Sequence, residues 1–186
     1  MNLILRYKLN TNDYLQQVLY YNSINEESIK QRSKVWLFVI AFIIFFSVLL
    51  LFLFNDKIEF GHYLGAIPVA ILSILFFPYF YKNILKKRFL KLVQKNYKNN
   101  FGKESVLSFH EEYVEIHDFT GESKVTYTSL EKIIEIKTHF FLILKAGAYI
   151  ILPKSEIQDA DSVKNTLDTI AAENEVLYSE ELNWKW

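Results

Sequence analysis

Cysteine is absent from this chain of 186 residues, and histidine, glycine and proline are scarce, with four, five and three copies. The missing thiols exclude disulfide bonds and cysteine-based metal sites. So few glycines leave no glycine-rich phosphate-binding loop, and no serine stands in the turn motif of an α/β-hydrolase nucleophile. The composition therefore excludes several common catalytic and binding classes.

Charge is divided unevenly along the chain, although the formal net charge is zero. The first hundred residues hold thirteen of the 21 basic residues and five of the 21 acidic ones. The remaining residues hold eight basic and sixteen acidic residues. Such a division indicates that the two halves of the chain face different surroundings.

Two long stretches, residues 35–54 and 60–81, contain no charged residue. At about 1.5 Å per residue, roughly twenty helical residues cross a hydrocarbon core about 30 Å thick. Because only residues 55–59 join them, residues 35–81 are predicted to form a transmembrane helical hairpin. The polar segment before the first stretch is too long for a signal peptide, so we expect both helices to be retained.

Basic residues flank both ends of this hairpin, whereas its connection holds one lysine and two acids. Lysine and arginine accumulate on the cytoplasmic side of membrane helices. We therefore expect a multi-pass protein of the cytoplasmic membrane with both termini in the cytoplasm.

Small side chains recur in the second apolar stretch at a spacing that lets another helix backbone approach closely. These helix-packing residues are Gly61, Gly65, Ala66, Ala70 and Ser73. Two interpretations stay open, namely packing against the first helix of the hairpin and a homodimer face. Neither stretch contains the buried charge that is typical of an ion path.

Residues 82–100 combine a helical stripe of apolar side chains with many lysines, which predicts a basic juxtamembrane helix. Anionic lipid attracts such a segment by about 1 kcal/mol for each basic residue near the surface. A plain topology signal and a regulated lipid or partner contact both stay open, and nothing indicates nucleic-acid binding. The expected membrane-surface contacts are Lys82, Lys86, Lys87, Arg88, Lys91 and Lys95.

From residue 101 onward the pattern alternates between apolar and polar residues, which predicts a β-rich domain over residues 101–186. Predicted strands cover residues 105–109, 112–119, 123–128, 133–137, 139–144 and 149–153, and a closing helix begins near Asp159. Thr128 and Glu131 predict a capped helical turn over residues 129–133. Lys145 and Gly147 suit a hairpin turn, so the greasy stretch 140–154 belongs to this domain rather than to a third span.

The N-terminal residues 1–34 predict a strand over residues 3–9 and a helix that begins near Thr11. Because this strand shares the cytoplasmic side, we expect that it can complete the sheet built after residue 100. Ser23 and Glu26 form a second capping pair, which opens a helix that runs into the first apolar stretch.

Residues with catalytic or metal-binding chemistry are scattered. No two of the four histidines have the spacing of a helical zinc motif, and His110 and His117 bracket a predicted strand at a solvated sheet edge. We expect no catalytic residue, no cofactor and no metal ion. For Trp184 and Trp186 two interpretations stay open, which are packing on the domain and contact with a membrane interface.

The motif SFHEEYVEIHDFTGESKVTYTSLEKIIEIKTHFFLIL, followed by IILPKSEI, resembles the YcxB-like family of bacterial membrane proteins. The resemblance extends over nearly the whole chain, from the TNDYLQQVLYYNS segment onward. It implies a bacterial inner-membrane location and a compact domain similar to pleckstrin-homology-like (PH-like) domains, with strands curled around one helix. It implies no reaction and no catalytic residue.

These observations predict an α+β protein in which a two-helix transmembrane hairpin carries a cytoplasmic PH-like β-rich domain closed by a C-terminal helix. The expected function is that of a non-enzymatic, membrane-anchored adaptor or regulator whose domain binds a protein or peptide partner. Two alternatives stay open. One is a membrane immunity protein against a pore-forming or depolarising toxin, and the other is a small oligomeric transporter subunit.

Overall fold

A computed structural model describes residues 3–53, 60–119 and 121–186, without the side chains of residue 51 and residues 60–67. The described part contains, in chain order, β1 (Leu3–Lys8), α1 (Thr11–Ile24), α2 (Glu26–Leu53), α3 (Phe60–Asn96), β2 (Glu104–Phe109), β3 (Tyr113–Asp118), β4 (Gly121–Thr126), β5 (Leu130–Ile136), β6 (His139–Leu144), β7 (Tyr149–Pro153), α4 (Ala160–Glu173) and β8 (Leu177–Glu181). Two compact units result, which we call the sheet unit (Met1–Leu19 with Leu90–Trp186) and the helical unit (Tyr20–Phe89).

Helices α2 and α3 contain both predicted spans. Each is long and apolar enough to cross a membrane, and no residue of their apolar windows is buried. In α2, the Phe38, Phe45 and Phe52 side chains are 73%, 65% and 82% exposed, whereas a core helix of a soluble protein buries one face. Phe54 and the predicted connection 55–59 lie outside the described residues. The basic segment continues α3 without a break as far as Asn96.

The predicted cap of α2 is wrong, and the helix begins at Glu26 rather than directly after Ser23. The Ser28 amide donates to Asn25 Oδ1 at 2.9 Å, so Asn25 has the N-cap geometry. The Ser23 hydroxyl instead donates to the Tyr20 carbonyl oxygen at 2.6 Å, because Ser23 is still inside α1. From Glu26 the helix runs uninterrupted to Leu53, as expected.

Strands β1 to β4 form an antiparallel sheet in the order β1-β2-β3-β4. The N-terminal strand pairs with β2, with Leu5 opposite Leu107, which confirms that it completes the sheet built after residue 100. Alternation places Leu5, Leu107 and Val114 in the core, with side chains at most 9% exposed. The opposite face carries polar side chains such as Arg6 and Glu115, together with the exposed Ile4.

Strands β5 to β8 form a second sheet in the order β7-β6-β5-β8. Its central hairpin is the greasy stretch of the sequence, and β6 covers residues 139–144 as predicted. At its tip Gly147 has φ 81° and donates its N–H to the Leu144 carbonyl at 2.7 Å. Glycine reaches this positive φ without a Cβ clash, so the predicted turn is confirmed.

Helix α4 covers the core between these strands. The Asp159 carboxylate caps it by accepting the Ser162 amide at 2.9 Å. Val163, Leu167 and Ile170 are at most 2% exposed and join the core cluster with Phe140. Each such buried aliphatic side chain contributes about 1.5–3 kcal/mol.

The predicted helical turn over residues 129–133 is wrong. A short 3-10 turn covers Tyr127–Ser129, and β5 already begins at Leu130. Leu130 and Ile133 are 2% and 0% exposed, so burial in the sheet outweighs the local capping signal of Thr128 and Glu131.

The chain also continues beyond the closing helix into a strand that the sequence analysis missed. Glu175 has φ 56°, and the Val176 amide donates to the Ala171 carbonyl at 2.9 Å. This is the hydrogen-bond pattern of a Schellman motif, which ends α4 and turns the backbone. Strand β8 then pairs in parallel with β5, with Ile134 opposite Ser179.

Candidate functional site

The sheet unit is assembled from both chain segments that flank the helical unit. Besides the β1–β2 ladder, the Gly102 amide donates to the Leu9 carbonyl oxygen at 2.9 Å. The rings of Tyr14 in α1 and Tyr97 just beyond α3 stack with centroids 4.3 Å apart. The chain therefore leaves this unit after Leu19 and re-enters it at Leu90 beside its own N-terminal segment.

A buried carboxylate anchors the N-terminal segment to the second sheet. The Asn10 amide donates to Asp13 Oδ2 at 2.7 Å, and Asn10 Oδ1 accepts the Asn12 amide at 2.7 Å, which together cap α1. The other oxygen, Asp13 Oδ1, lies 3.1 Å from His139 Nε2. The Asp13 and His139 side chains are 4% and 3% exposed. One carboxylate thus both caps α1 and fixes it to β6.

The third member of this cluster is a hydroxyl. His139 Nδ1 lies 2.8 Å from Thr138 Oγ1. A threonine hydroxyl can donate or accept, so the ring keeps both hydrogen bonds whether it is neutral or protonated. Acid, imidazole and hydroxyl are the residue types of a catalytic triad, but a base must reach a substrate proton, and here the acid and the ring are both buried. We therefore assign Asp13 and His139 a structural role.

Both faces of the second sheet are covered. Phe140 and Leu142 point into the main core, whereas the alternating Phe141 and Ile143 are 0% and 4% exposed on the opposite face. His139 shares that opposite face, and its bond to Asp13 places the start of α1 there. This double coverage explains why β6 is a continuous apolar run.

A second buried carboxylate, Glu135 in β5, joins three elements. Its Oε1 accepts from Lys154 Nζ at 2.5 Å, and its Oε2 accepts from the Tyr178 hydroxyl at 2.9 Å and lies 3.3 Å from Lys164 Nζ. Lys164 also donates to Glu180 Oε1 at 2.6 Å. The network ties β5 to α4, to β8 and to the turn after β7.

These contacts set the charge state of Glu135. Burial raises the pKa of this carboxyl, but the hydrogen bonds from Lys154 and Tyr178 outweigh it, so the pKa lies below its usual value of 4.5. Burial, together with the hydrogen bond to Glu135, raises the pKa of Tyr178. Sequence reasoning missed this network, although a lone acid inside an apolar strand and a lysine directly after Pro153 were its visible signals.

The predicted membrane-surface residues all lie exposed along α3, where the structure does not test their role. They are Lys82, Lys86, Lys87, Arg88, Lys91 and Lys95. Of the predicted apolar stripe, Leu85 and Phe89 are half-buried and Val93 is fully buried, whereas Leu92 is 48% exposed. The helix is therefore amphipathic, as predicted.

The small-residue positions also lie in α3. Ala70 is half-buried, and Ser73 is exposed with its hydroxyl donating to the Val69 carbonyl oxygen at 2.8 Å. The side chains of residues 61, 65 and 66 are outside the description, so the predicted packing of Gly61, Gly65 and Ala66 stays a prediction.

Histidines His110 and His117 lie on the outward face of the first sheet around one carboxylate. Glu115 Oε2 is 3.6 Å from His110 Nε2 and 3.5 Å from His117 Nε2, and Lys124 Nζ lies 3.4 Å from Glu115 Oε1. Across residues 3–53, 60–119 and 121–186, no group of three histidine or acidic side chains is arranged to hold a metal ion.

A family model described as YcxB-like protein matches residues 109–167. The match runs from the end of β2 into α4, and it contains His139 and Glu135 together with Lys154 and Lys164. No curated protein and no solved structure shows a significant match to the chain. The resemblance seen in the sequence is confirmed for this segment, while the N-terminal motifs lie outside it. Over residues 109–167, which are less than half of its length, the chain is therefore similar to the YcxB-like family.

Proposed function

We propose that the chain is a non-enzymatic integral membrane protein of the bacterial cytoplasmic membrane. Helices α2 and α3 anchor it, and the sheet unit is a cytoplasmic PH-like domain that binds a protein or peptide partner as an adaptor or regulator. Tethering raises the local concentration of such a domain at the membrane, so weak contacts suffice.

One observation carries this proposal, which is the assembly of the sheet unit from both flanks of the two apolar helices. Strands β1 and β2 are hydrogen-bonded neighbours, and Asp13 is buried against His139. A domain that folds in water and contains both segments requires both to lie on one side of the bilayer. The basic residues that border the apolar helices favour the cytoplasmic side.

The PH-like description is supported by two four-stranded sheets that share one core with α4. The buried polar side chains of Asp13, Glu135 and His139 all have hydrogen-bonding partners inside the fold. We therefore expect a partner to bind to the surface of the sheet unit. Strand β4 is an edge strand, and only Val125 of its six residues is not exposed. Such an edge can accept an extended peptide as an additional strand.

Single-cysteine labelling tests the topology, because the natural chain has no cysteine. Intact cells that carry Asp56→Cys or Asn183→Cys are treated with a membrane-impermeant maleimide. We expect labelling of position 56 alone, and of both positions after lysis. Labelling of position 183 in intact cells contradicts the proposed orientation.

Site-specific photocrosslinking tests the partner. A photoreactive residue replaces the exposed Ser123 on β4, and the control replaces the exposed Lys137 in the turn between β5 and β6. We expect a discrete adduct of protein or peptide at position 123 that position 137 does not give. An identical adduct pattern at the two positions refutes binding at this edge, and an absence of adducts at both counts against a partner.

We also propose a role for the basic segment of α3. The exposed basic face of α3 contacts anionic lipid next to the membrane helices. The immunity and transporter alternatives stay predictions. Protection of cells that express the chain from a depolarising toxin supports the first alternative, and a monomer in native detergent contradicts the second.

A further inference from the structure

We infer that the outer edge of β4, which is its side away from β3, pairs with β4 of a second copy of this chain. The two strands run antiparallel and are related by a two-fold axis at Ser123. The inference rests on the edge binding of the proposed function and names its partner. That partner is a second copy rather than a foreign peptide, because the charges along β4 match themselves when the strand is turned around.

The backbone of β4 carries hydrogen-bonding groups on its outer edge. Among the described strands, β4 pairs with β3 alone. One step beyond the β3–β4 ladder, the Tyr127 amide donates to the Glu112 carbonyl oxygen at 3.1 Å. Because backbone groups alternate in direction along an antiparallel strand, the N–H and C=O groups of Ser123 also point toward β3. Those of Glu122 and Lys124 therefore point outward, where a further strand can bind.

The charged side chains of β4 select the register of this pairing. In a two-fold antiparallel pair, residues at equal distances from the axis stand opposite one another. With Ser123 on the axis, Glu122 of each copy stands opposite Lys124 of the other. An axis at Glu122 or at Lys124 sets like charges directly opposite, which is destabilising. An axis at Val125 places Glu122 beyond the end of the opposing strand.

The same register suits the inner face of β4, which continues the core. It places Val125 of one copy opposite Gly121 of the other, and Ser123 opposite its own equivalent. Val125 is half-buried against the core cluster. Glycine has no side chain, so the opposing valine meets no clash at position 121.

Charges on β3 extend the pattern across four strands. Lys124 Nζ lies 3.4 Å from Glu115 Oε1, and Glu122 Oε1 lies 3.2 Å from His117 Nδ1. In the pair, each outward row consists of Glu115 and Lys124 of one copy, followed by Glu122 and His117 of the other. Each Lys124 then stands between two carboxylates. The Glu122 and Lys124 side chains are 74% and 63% exposed, so both can reach across the edge.

Disulfide trapping tests the pairing, because the natural chain has no cysteine. A Ser123→Cys change in the full-length chain places two thiols at the axis. There the opposing residues form a non-hydrogen-bonded pair with Cα atoms about 4.5 Å apart, which lies within disulfide range. Membrane vesicles that contain this chain are oxidised with air and a copper catalyst and separated without reductant. We expect a disulfide-linked homodimer, and much less of it from the control Lys137→Cys, which lies exposed in the turn between β5 and β6.

Charge variants of the Ser123→Cys chain test the register. Glu122→Lys sets two lysines opposite each other at both charged pairs, and Lys124→Glu sets two glutamates opposite each other. Each variant alone should give at least about threefold less homodimer than the Ser123→Cys chain, since two cross-strand pairs become repulsive. When the two variants are produced together with different tags, opposite charges face each other again at both pairs. We therefore expect the mixed dimer at the level of the Ser123→Cys chain, which also shows that both variants fold.

The outcomes separate this inference from the proposed function. Equal homodimer from Ser123→Cys and Lys137→Cys overturns the self-pairing, and so does a loss in the charge variants that mixing does not restore. A photocrosslink from position 123 to a foreign protein or peptide, without a disulfide-linked homodimer, also overturns it but leaves edge binding intact. An absence of both products rejects the self-pairing and the proposed edge binding together.

Discussion

The Asp13→Ala substitution tests the link between the N-terminal segment and the second sheet. It removes the acceptor of the Asn10 amide, and loss of a helix cap costs about 1 kcal/mol. It also leaves His139 Nε2 buried without its partner, which costs about 1–3 kcal/mol. We expect the free energy of unfolding of the sheet unit to fall by about 2–4 kcal/mol.

A matched control is available in α4. Asp161 also stands in the first turn of its helix, but its side chain is exposed. Its replacement by alanine removes only an interaction with the helix dipole, which is worth about 0.3–1 kcal/mol. The comparison separates the buried contact from the general preference for acids at helix starts.

The assay uses the absence of natural cysteine. An Ala171→Cys change, at a position 5% exposed, places one thiol in the core of the sheet unit. Pulsed thiol labelling across a urea series in detergent then gives the free energy of opening from the denaturant dependence. Because this thiol reports on the sheet unit alone, the helical unit does not complicate the transition.

A double-mutant cycle tests the Asp13–His139 contact directly. If Asp13 and His139 are in contact, the Asp13→Ala/His139→Ala variant should lose at least about 1 kcal/mol less than the sum of the single losses. Additive losses within about 0.5 kcal/mol, or an Asp13→Ala loss no larger than that of Asp161→Ala, contradict the assigned contact.

Four further predictions concern Glu135, Gly147 and the basic segment of α3. Glu135→Ala removes the acceptor of the Lys154 ammonium group and of the Tyr178 hydroxyl, so the labelling assay should show a loss of about 1.5–3 kcal/mol, and a loss below about 0.5 kcal/mol argues against the network. Because the folded pKa of Glu135 is lowered, its ionised form stabilises the fold above the unfolded pKa, and this stabilisation is lost as pH falls through the folded value. Urea midpoints should therefore fall less steeply from about pH 5 to 3 in Glu135→Gln than in the natural chain. Gly147→Ala, at φ 81°, should destabilise by about 1 kcal/mol in the same assay, whereas exposed Ala146→Ser should change stability little. The last test uses a peptide of residues 82–98 in which glutamine replaces Lys87, Arg88, Lys91 and Lys95. Its binding to anionic vesicles, measured by sedimentation, should be weaker than that of the natural peptide by about 4 kcal/mol, and its binding to zwitterionic vesicles should change little.

Local signals explain which elements the sequence predicted. Strand β6 is an apolar run between turn residues, and α4 begins at a capping aspartate, so short windows contain all the information that these elements need. The turn over residues 129–133 was wrong because a capping pair worth about 1 kcal/mol competes with the burial of Leu130 and Ile133. A local preference for helix is overridden wherever tertiary burial contributes more free energy.

Contacts between distant residues explain what the sequence did not show. Asp13 and His139 are 126 positions apart, and Tyr178 and Glu135 are 43 positions apart. Strand β8 has two glutamates and no clear apolar alternation, so its pairing with β5 becomes visible only once α4 has returned the chain to that edge. The apolar periodicity within a short stretch of sequence does not indicate such a pairing between distant segments.

The order of the segments also constrains how the chain must assemble. Strand β1 is made first, but its ladder partner β2 follows both long helices, so the first sheet cannot close until residue 109 has been synthesised. Closing a loop of nearly a hundred residues costs little more entropy than closing a shorter one, since the cost grows only with the logarithm of length. In the proposed membrane topology, the side of the bilayer matters far more than the length of the loop, because an odd number of crossings between β1 and β2 would place the two strands on opposite sides. A change of the basic residues that flank α2 and α3 should therefore abolish the β1–β2 pairing and the Asp13–His139 contact together if it leaves an odd number of crossings. The Ala171→Cys thiol should then be labelled without denaturant.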